Sequence, residues 1–138
     1  MDNKVYERLM AFGYQIETEI EEDGSINYYP DAVDTMLLSF ISEKVVRNVK
    51  AECNTDTVPE ELEYKVIDLI VGEFFTSKKN MGQLVIKDMD FYDAEKKIQI
   101  GDTTIEFATG SSPSEMFDRL LSLLLQPIDY SNYRCIRW

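Results

Sequence analysis

Ten residues, VIDLIVGEFF at positions 66–75, restrict the fold more than any other stretch of the chain. On a helix their apolar side chains point nearly all the way round, and a helix of that kind has to be enclosed on several sides. The spacing therefore predicts a small helical body built around one central helix, at roughly 58–79. Thr57 with Glu60 forms a capping box at its start, and Pro59 falls in the first turn, where its missing N–H is not needed. Gly72 lies inside the apolar run and costs about 1 kcal/mol against Ala in helix propensity, so a close helix crossing is expected there.

Three further helices can surround it. Residues 2–12 carry Val5, Leu9 and Phe12 on one stripe, and Gly13 ends the helix. A second helix, over 32–53 with Asp31 as N-cap, repeats Val33, Leu37, Phe40, Ile41, Val45 and Val49 at spacings of three and four. Ser112, Pro113 and Glu115 open a fourth, roughly 113–126, whose buried stripe is Phe117, Leu120, Leu121 and Leu124 before Pro127 stops it. The fold class is mainly α: a small antiparallel bundle of about four helices with one protruding β-hairpin at 96–107. With 138 residues the chain forms a single domain, 1–138, with a helical body at about 2–80 and 112–126 and a C-terminal tail at 127–138.

The hairpin is read from KKIQIGDTTIEF. Gly101-Asp102 supplies a two-residue turn, which pairs Ile100 with Thr103, Gln99 with Thr104, Ile98 with Ile105 and Lys97 with Glu106. One face then shows Ile98, Ile100, Ile105 and Phe107; the other sets Lys97 against Glu106. A lone ribbon is marginal in water, so its apolar face needs cover, either from this chain's own helices or from a neighbouring subunit.

The net charge of −12 excludes the commonest nucleic-acid binders, because such a surface repels phosphate. Five carboxylates crowd into 17–23 of ETEIEEDGSINYYP, where a solvated loop is favoured over weak strands. No histidine occurs, which removes the commonest general base and most catalytic zinc sites. Neither a dinucleotide fingerprint nor a P-loop is present. Asp88, Asp90 and Asp93 only faintly suggest a calcium loop, since Asp93 stands where its glycine belongs and Gln99 where its glutamate belongs. Asp68 and Glu73, inside the apolar helix, are the acids most exposed to perturbation; pairing with Lys or Arg across helices is the favoured reading over a hydrolase pocket. No catalytic residue, cofactor or metal is expected. Cys53 and Cys135 fit no ligand spacing and read as reduced thiols of a cytoplasmic protein. No signal-peptide core and no membrane span are expected.

VPEELEYKVIDLIVGEFFTSKK, IQIGDTTIEFA, SSPSEMFDRLLSLLL and the ending YRCIRW, in that order over about residues 58–138, resemble the head-tail connector (portal adaptor) proteins of long-tailed bacteriophages and prophages. The acidic stretch between Gly13 and Asp31 is longer than that family's pattern. The resemblance implies a non-enzymatic virion protein of the head–tail junction, present in the host cytoplasm during assembly. It implies a ring of about twelve copies, built from one heterologous contact repeated around a closing rotation. Its partners would be further copies of itself, the portal protein, and a downstream connector, stopper or tail protein. DNA would pass through without sequence-specific binding. Position in the motifs makes Lys97, Ile98, Ile100, Thr103, Ile105, Glu106 and Phe107 subunit-interface candidates. Tyr130, Tyr133, Arg134, Ile136, Arg137 and Trp138 are candidates for docking to the portal or a neighbour, or for a tail folded back on its own helices. Glu17, Glu19, Glu21, Glu22 and Asp23 are either bore-lining acids or an outward solvated loop. The alternative reading is a small acidic regulatory protein that mimics DNA and inhibits a nucleic-acid-binding enzyme.

Overall fold

The computed structural model describes residues 2–82, 99–100, 103–104 and 113–133. In chain order these form α1 (Asp2–Ala11), β1 (Glu17–Ile20), β2 (Ile26–Tyr29), α2 (Ala32–Cys53), a 3-10 turn (Glu60–Leu62), α3 (Glu63–Asn80), β3 (Gln99–Ile100), β4 (Thr103–Thr104) and α4 (Pro113–Leu124). The architecture is a mainly helical bundle carrying antiparallel hairpins.

As its all-round apolar pattern requires, α3 is the central element and packs against α1, α2 and α4. Val66, Ile70, Val71, Phe74 and Phe75 are wholly enclosed. Phe75 ties α3 to the α1–β1 loop and to α4 by edge-on ring contacts: Phe12 at 6.0 Å, Tyr14 at 6.1 Å and Phe117 at 5.9 Å between centroids. Gly72 marks a close crossing. A Cβ there would stand 2.8 Å from Leu125 Cδ2 and 3.1 Å from Leu124 Cβ, at the end of α4.

The helix ends follow their residues. At the end of α1, Tyr14 N–H donates to the Leu9 carbonyl (3.1 Å) and Gly13 N–H to that of Met10 (2.9 Å), with Gly13 at φ 90°. This is the six-to-one and five-to-two closure that glycine permits. The same closure ends α2, where Asn54 takes the left-handed conformation at φ 53°. Asp31 does precede α2, but its side chain makes no cap hydrogen bond; its carbonyl accepts from the N–H and hydroxyl of Thr35.

Four expectations are corrected. The capping box at Thr57 and Glu60 does not form: a 3-10 turn begins at Glu60, with Pro59 just before it and no side-chain cap. The buried face of α2 is Asp34, Leu38, Ile41, Val45, Val49 and Cys53, so Val33 and Phe40 lie outside it and Leu37 only at its border. α4 ends at Leu124; Phe117, Leu120 and Leu124 are enclosed with Met116, whereas Leu121 is half-buried. Residues 17–29 form a second antiparallel hairpin in place of a solvated loop, pairing Glu17 with Tyr29, Thr18 with Tyr28, Glu19 with Asn27 and Ile20 with Ile26. In the ribbon, Gln99 pairs with Thr104 and Ile100 with Thr103, the register expected from the Gly-Asp turn. Lys97, Ile98, Ile105, Glu106, Phe107 and the Ser112 cap lie outside the described residues.

Candidate functional site

Two neighbouring surfaces and one buried cluster concentrate the chemistry. The first surface is the β1–β2 hairpin. Directly paired residues share a face, so Glu17, Glu19, Asn27 and Tyr29 lie on one side and Thr18, Ile20, Ile26 and Tyr28 on the other. The acidic side is knitted by its own hydrogen bonds: Asn27 Nδ2 donates to Glu21 Oε1 at 2.6 Å and the Tyr29 hydroxyl to Glu19 Oε2 at 3.4 Å. At the tip, Ser25 donates its hydroxyl (2.6 Å) and N–H (2.9 Å) to Asp23 Oδ1. These bonds hold the Asp23 carboxyl below the usual carboxylate range. The five acids at 17–23 are all exposed. On the opposite side Tyr28 leans on Tyr6 of α1 at 5.5 Å between centroids, and Ile20 is left 72% exposed.

The second surface is the outer face of α2. Met36 is 75% exposed, Phe40 66% and Val33 53%. At spacings of three and four they form an apolar stripe on the side opposite the core. Lys44 and Arg47 continue that stripe, beside a shallow groove lined by Phe40, Glu43, Asn48 and Ala51. Lys44 pairs with the partly buried Glu73 (2.6 Å), and Arg47 with Glu43 (2.6 Å) in a largely solvated pair.

The buried cluster joins the α1–β1 loop, α2 and α3. Lys78 Nζ donates to Asp34 Oδ1 at 2.7 Å, and the Tyr14 hydroxyl donates to Asp34 Oδ2. Tyr14 stands edge-on to Phe74 at 5.3 Å. Burial, then the Asp34 carboxylate, pushes the Tyr14 phenol above its ordinary range. Asp68 is the other buried acid: Arg8 grips its Oδ1 through Nη2 (2.9 Å) and Nε (3.1 Å). Burial pushes the Asp68 carboxyl up, against the opposing pull of Arg8. Both acids singled out from the sequence, Asp68 and Glu73, thus have cross-helix cationic partners.

Sequence reasoning missed Asp34, Lys78 and Tyr14. The available signal was Lys78 itself, three and four residues beyond Phe75 and Phe74 on the apolar face of α3. It also missed that α2 carries a second apolar stripe, Val33, Met36 and Phe40.

The remaining candidates are distributed unevenly. Ile100 and Thr103 are a paired couple in the β3–β4 ribbon. Tyr130 and Tyr133 are half-buried against the chain's own core, close behind the enclosed Ile128; burial raises the Tyr130 phenol, with Cys53 and Glu52 adding to the effect. Arg134, Ile136, Arg137, Trp138, Cys135, Asp88, Asp90 and Asp93 lie outside the described residues. Cys53 is wholly buried. Among the described residues no group of three metal-ligating side chains converges, and no helix is long and apolar enough to cross a membrane. Compared with known proteins, the chain matches no family model, no curated sequence and no solved structure.

Proposed function

We propose that this chain is a non-enzymatic virion subunit that assembles into a ring at the head–tail junction of a long-tailed bacteriophage. It docks under the portal, lines the DNA exit channel and receives the next connector, stopper or tail protein. One observation carries the reading. Helix α2, central helix α3, a short antiparallel ribbon, and a last helix crossing α3 at Gly72 follow one another in that order. Over α3, the ribbon and α4, this is the order on which the sequence resemblance rests.

Two surface properties support it. Large apolar side chains stay in solvent on α2 and the first hairpin, as a subunit designed to be covered by neighbours requires. The acids of β1 stand in a row on one exposed face, and carboxylates facing a bore would let a duplex slide without counterion-release binding.

Cryo-electron microscopy of purified portal mixed with this chain tests the proposal. The expected result is a ring of about twelve copies capping the portal, generated by rotation of one contact. The DNA-mimic reading has one observation in its favour, the ordered row Glu17, Glu19, Glu21. A mimic of both strands needs two long rows, and the hairpin offers one short row. A chain that ignores the portal and instead inhibits a nuclease or polymerase would replace the adaptor reading with the mimic.

A further inference from the structure

The outer face of α2 and the β1–β2 hairpin have the same internal order. Along α2, exposed apolar residues come first, ending at Phe40, and bases follow. With 1.5 Å of rise per residue, Lys44 and Arg47 lie about 6 Å and about 10 Å beyond Phe40. Along the hairpin, the exposed Ile20–Ile26 pair comes first and the acids of the tip follow. Past Ile20 the chain turns, with Gly24 N–H donating to the Glu21 carbonyl, so Glu22 and Asp23 stand at the end of the ribbon just beyond the Ile20–Ile26 pair. The two surfaces therefore share one order of chemistry, apolar first and charged next, with exposed bases on one and exposed acids on the other.

We infer that the outer face of α2 receives the β1–β2 hairpin of a second copy of this chain, with Ile20 and Ile26 against Met36 and Phe40 and the tip acids against Lys44 and Arg47. Within one molecule the hairpin leans on α1 instead, through Tyr28 on Tyr6 and the Tyr28 hydroxyl on Glu7. Its Ile20 and the α2 stripe both remain in solvent. A two-fold contact of α2 with α2 fits less well, because antiparallel pairing sets Lys44 and Arg47 of each copy against the apolar end of the other. Three helical side chains cannot supply the ~800 Å² per partner of a standard interface, whereas helix plus hairpin can approach it. The internal pair Arg47–Glu43 is solvated and exchanges partners at little cost, while Lys44 stands half-exposed beside the partly buried Glu73. The contact is heterologous, so it propagates from copy to copy. It rests on the adaptor reading only for its closure into a ring.

Charge reversal on each side provides the test. One variant carries Lys44→Glu with Arg47→Glu; the other carries Glu22→Lys with Asp23→Lys at the tip. Sedimentation velocity of the full chain, up to millimolar concentration at low salt, should show association by wild type and at least tenfold weaker association by either variant alone. The equimolar mixture should associate again, because every hairpin then finds an oppositely charged α2. Phe40→Ser should weaken association at least tenfold while thermal unfolding followed by circular dichroism stays unchanged. A photoreactive phenylalanine analogue at position 40 should crosslink to residues 18–28 of another copy. A wild type monomeric at every concentration, a mixture no better than its parts, or crosslinks mapping to the 96–107 ribbon or to other segments would each overturn the inference. The two readings fail separately. Charge-reversed variants that still cap the portal in rings refute this contact alone, and a wild type that self-associates by it yet ignores the portal refutes the adaptor alone.

Discussion

Asp34 accepts from Lys78 and from Tyr14; the Asp34 and Lys78 side chains are buried between α2 and α3, and Tyr14 is half-buried beside them. Removing one member of a buried pair leaves the other charge without its compensation, which typically costs about 3–5 kcal/mol. Asp34→Ala should therefore lower unfolding stability by about that much in a urea titration. Asp34→Leu with Lys78→Met should be less destabilised than Asp34→Ala, since it also removes the buried ammonium that faced the carboxylate. Tyr14 adds a pH dependence. Its phenol is held above the ordinary value of 10.0, so above pH 10 the unfolded chain releases a proton that the folded chain keeps. Stability from this group is complete below pH 10 and falls as pH rises beyond it. Tyr14→Phe should make the alkaline stability limb shallower by one proton, measured as urea midpoints between pH 9 and 11. None of the three residues was legible in the sequence as a cluster. Asp34 and Lys78 are 44 residues apart, and pairing at that separation is a property of the packed helices.

At the scale of elements, α2 shows what periodicity can and cannot convey. Leu38, Ile41, Val45 and Val49 form one apolar stripe, and Val33, Met36 and Phe40 form another on the opposite side. Spacing identifies a helix from either, and the bounds 32–53 follow. It cannot say which stripe is enclosed, and Asp34 on the enclosed one misdirects until Lys78 is seen beside it. The first hairpin was hidden for a related reason: Glu17, Glu19 and Glu21 occupy its solvent face, so carboxylate density masked an alternation that the structure displays. The β3–β4 register and the crossing at Gly72 were legible because each depends on local chemistry, a Gly-Asp turn and an absent Cβ. Gly72 also carries a prediction. The Leu125 side chain can swing away from a new Cβ, but the Leu124 Cβ cannot move without α4. Gly72→Val adds two methyl groups beyond that point and should cost about 1–3 kcal/mol by thermal or urea unfolding, the range for overpacking.

For the whole molecule, the net charge of −12 acts on folding and on assembly in opposite senses. Within one copy, acids outnumber bases 26 to 14, so the folded surface repels itself. Exposed pairs such as Arg47–Glu43 and Lys79–Asp118 offset little of this, because solvated ion pairs are weak. Raising salt from roughly 0.01 M to 0.1 M shortens the screening length from about 30 Å to about 10 Å, which relieves repulsion across the molecule. The urea midpoint of a dilute sample should therefore rise with salt. Between copies, the tip acids of one hairpin meet Lys44 and Arg47 of the next, an attraction that the same salt weakens. Association measured by sedimentation should fall over the range in which the urea midpoint climbs. If association instead strengthens with salt, screening of overall repulsion outweighs the local pairing, and the contact between the tip acids and Lys44 and Arg47 is overturned. Phe40→Ser and the charge-reversed variants check this independently: each should weaken association, and reversal of Lys44 and Arg47 that leaves it intact overturns the contact.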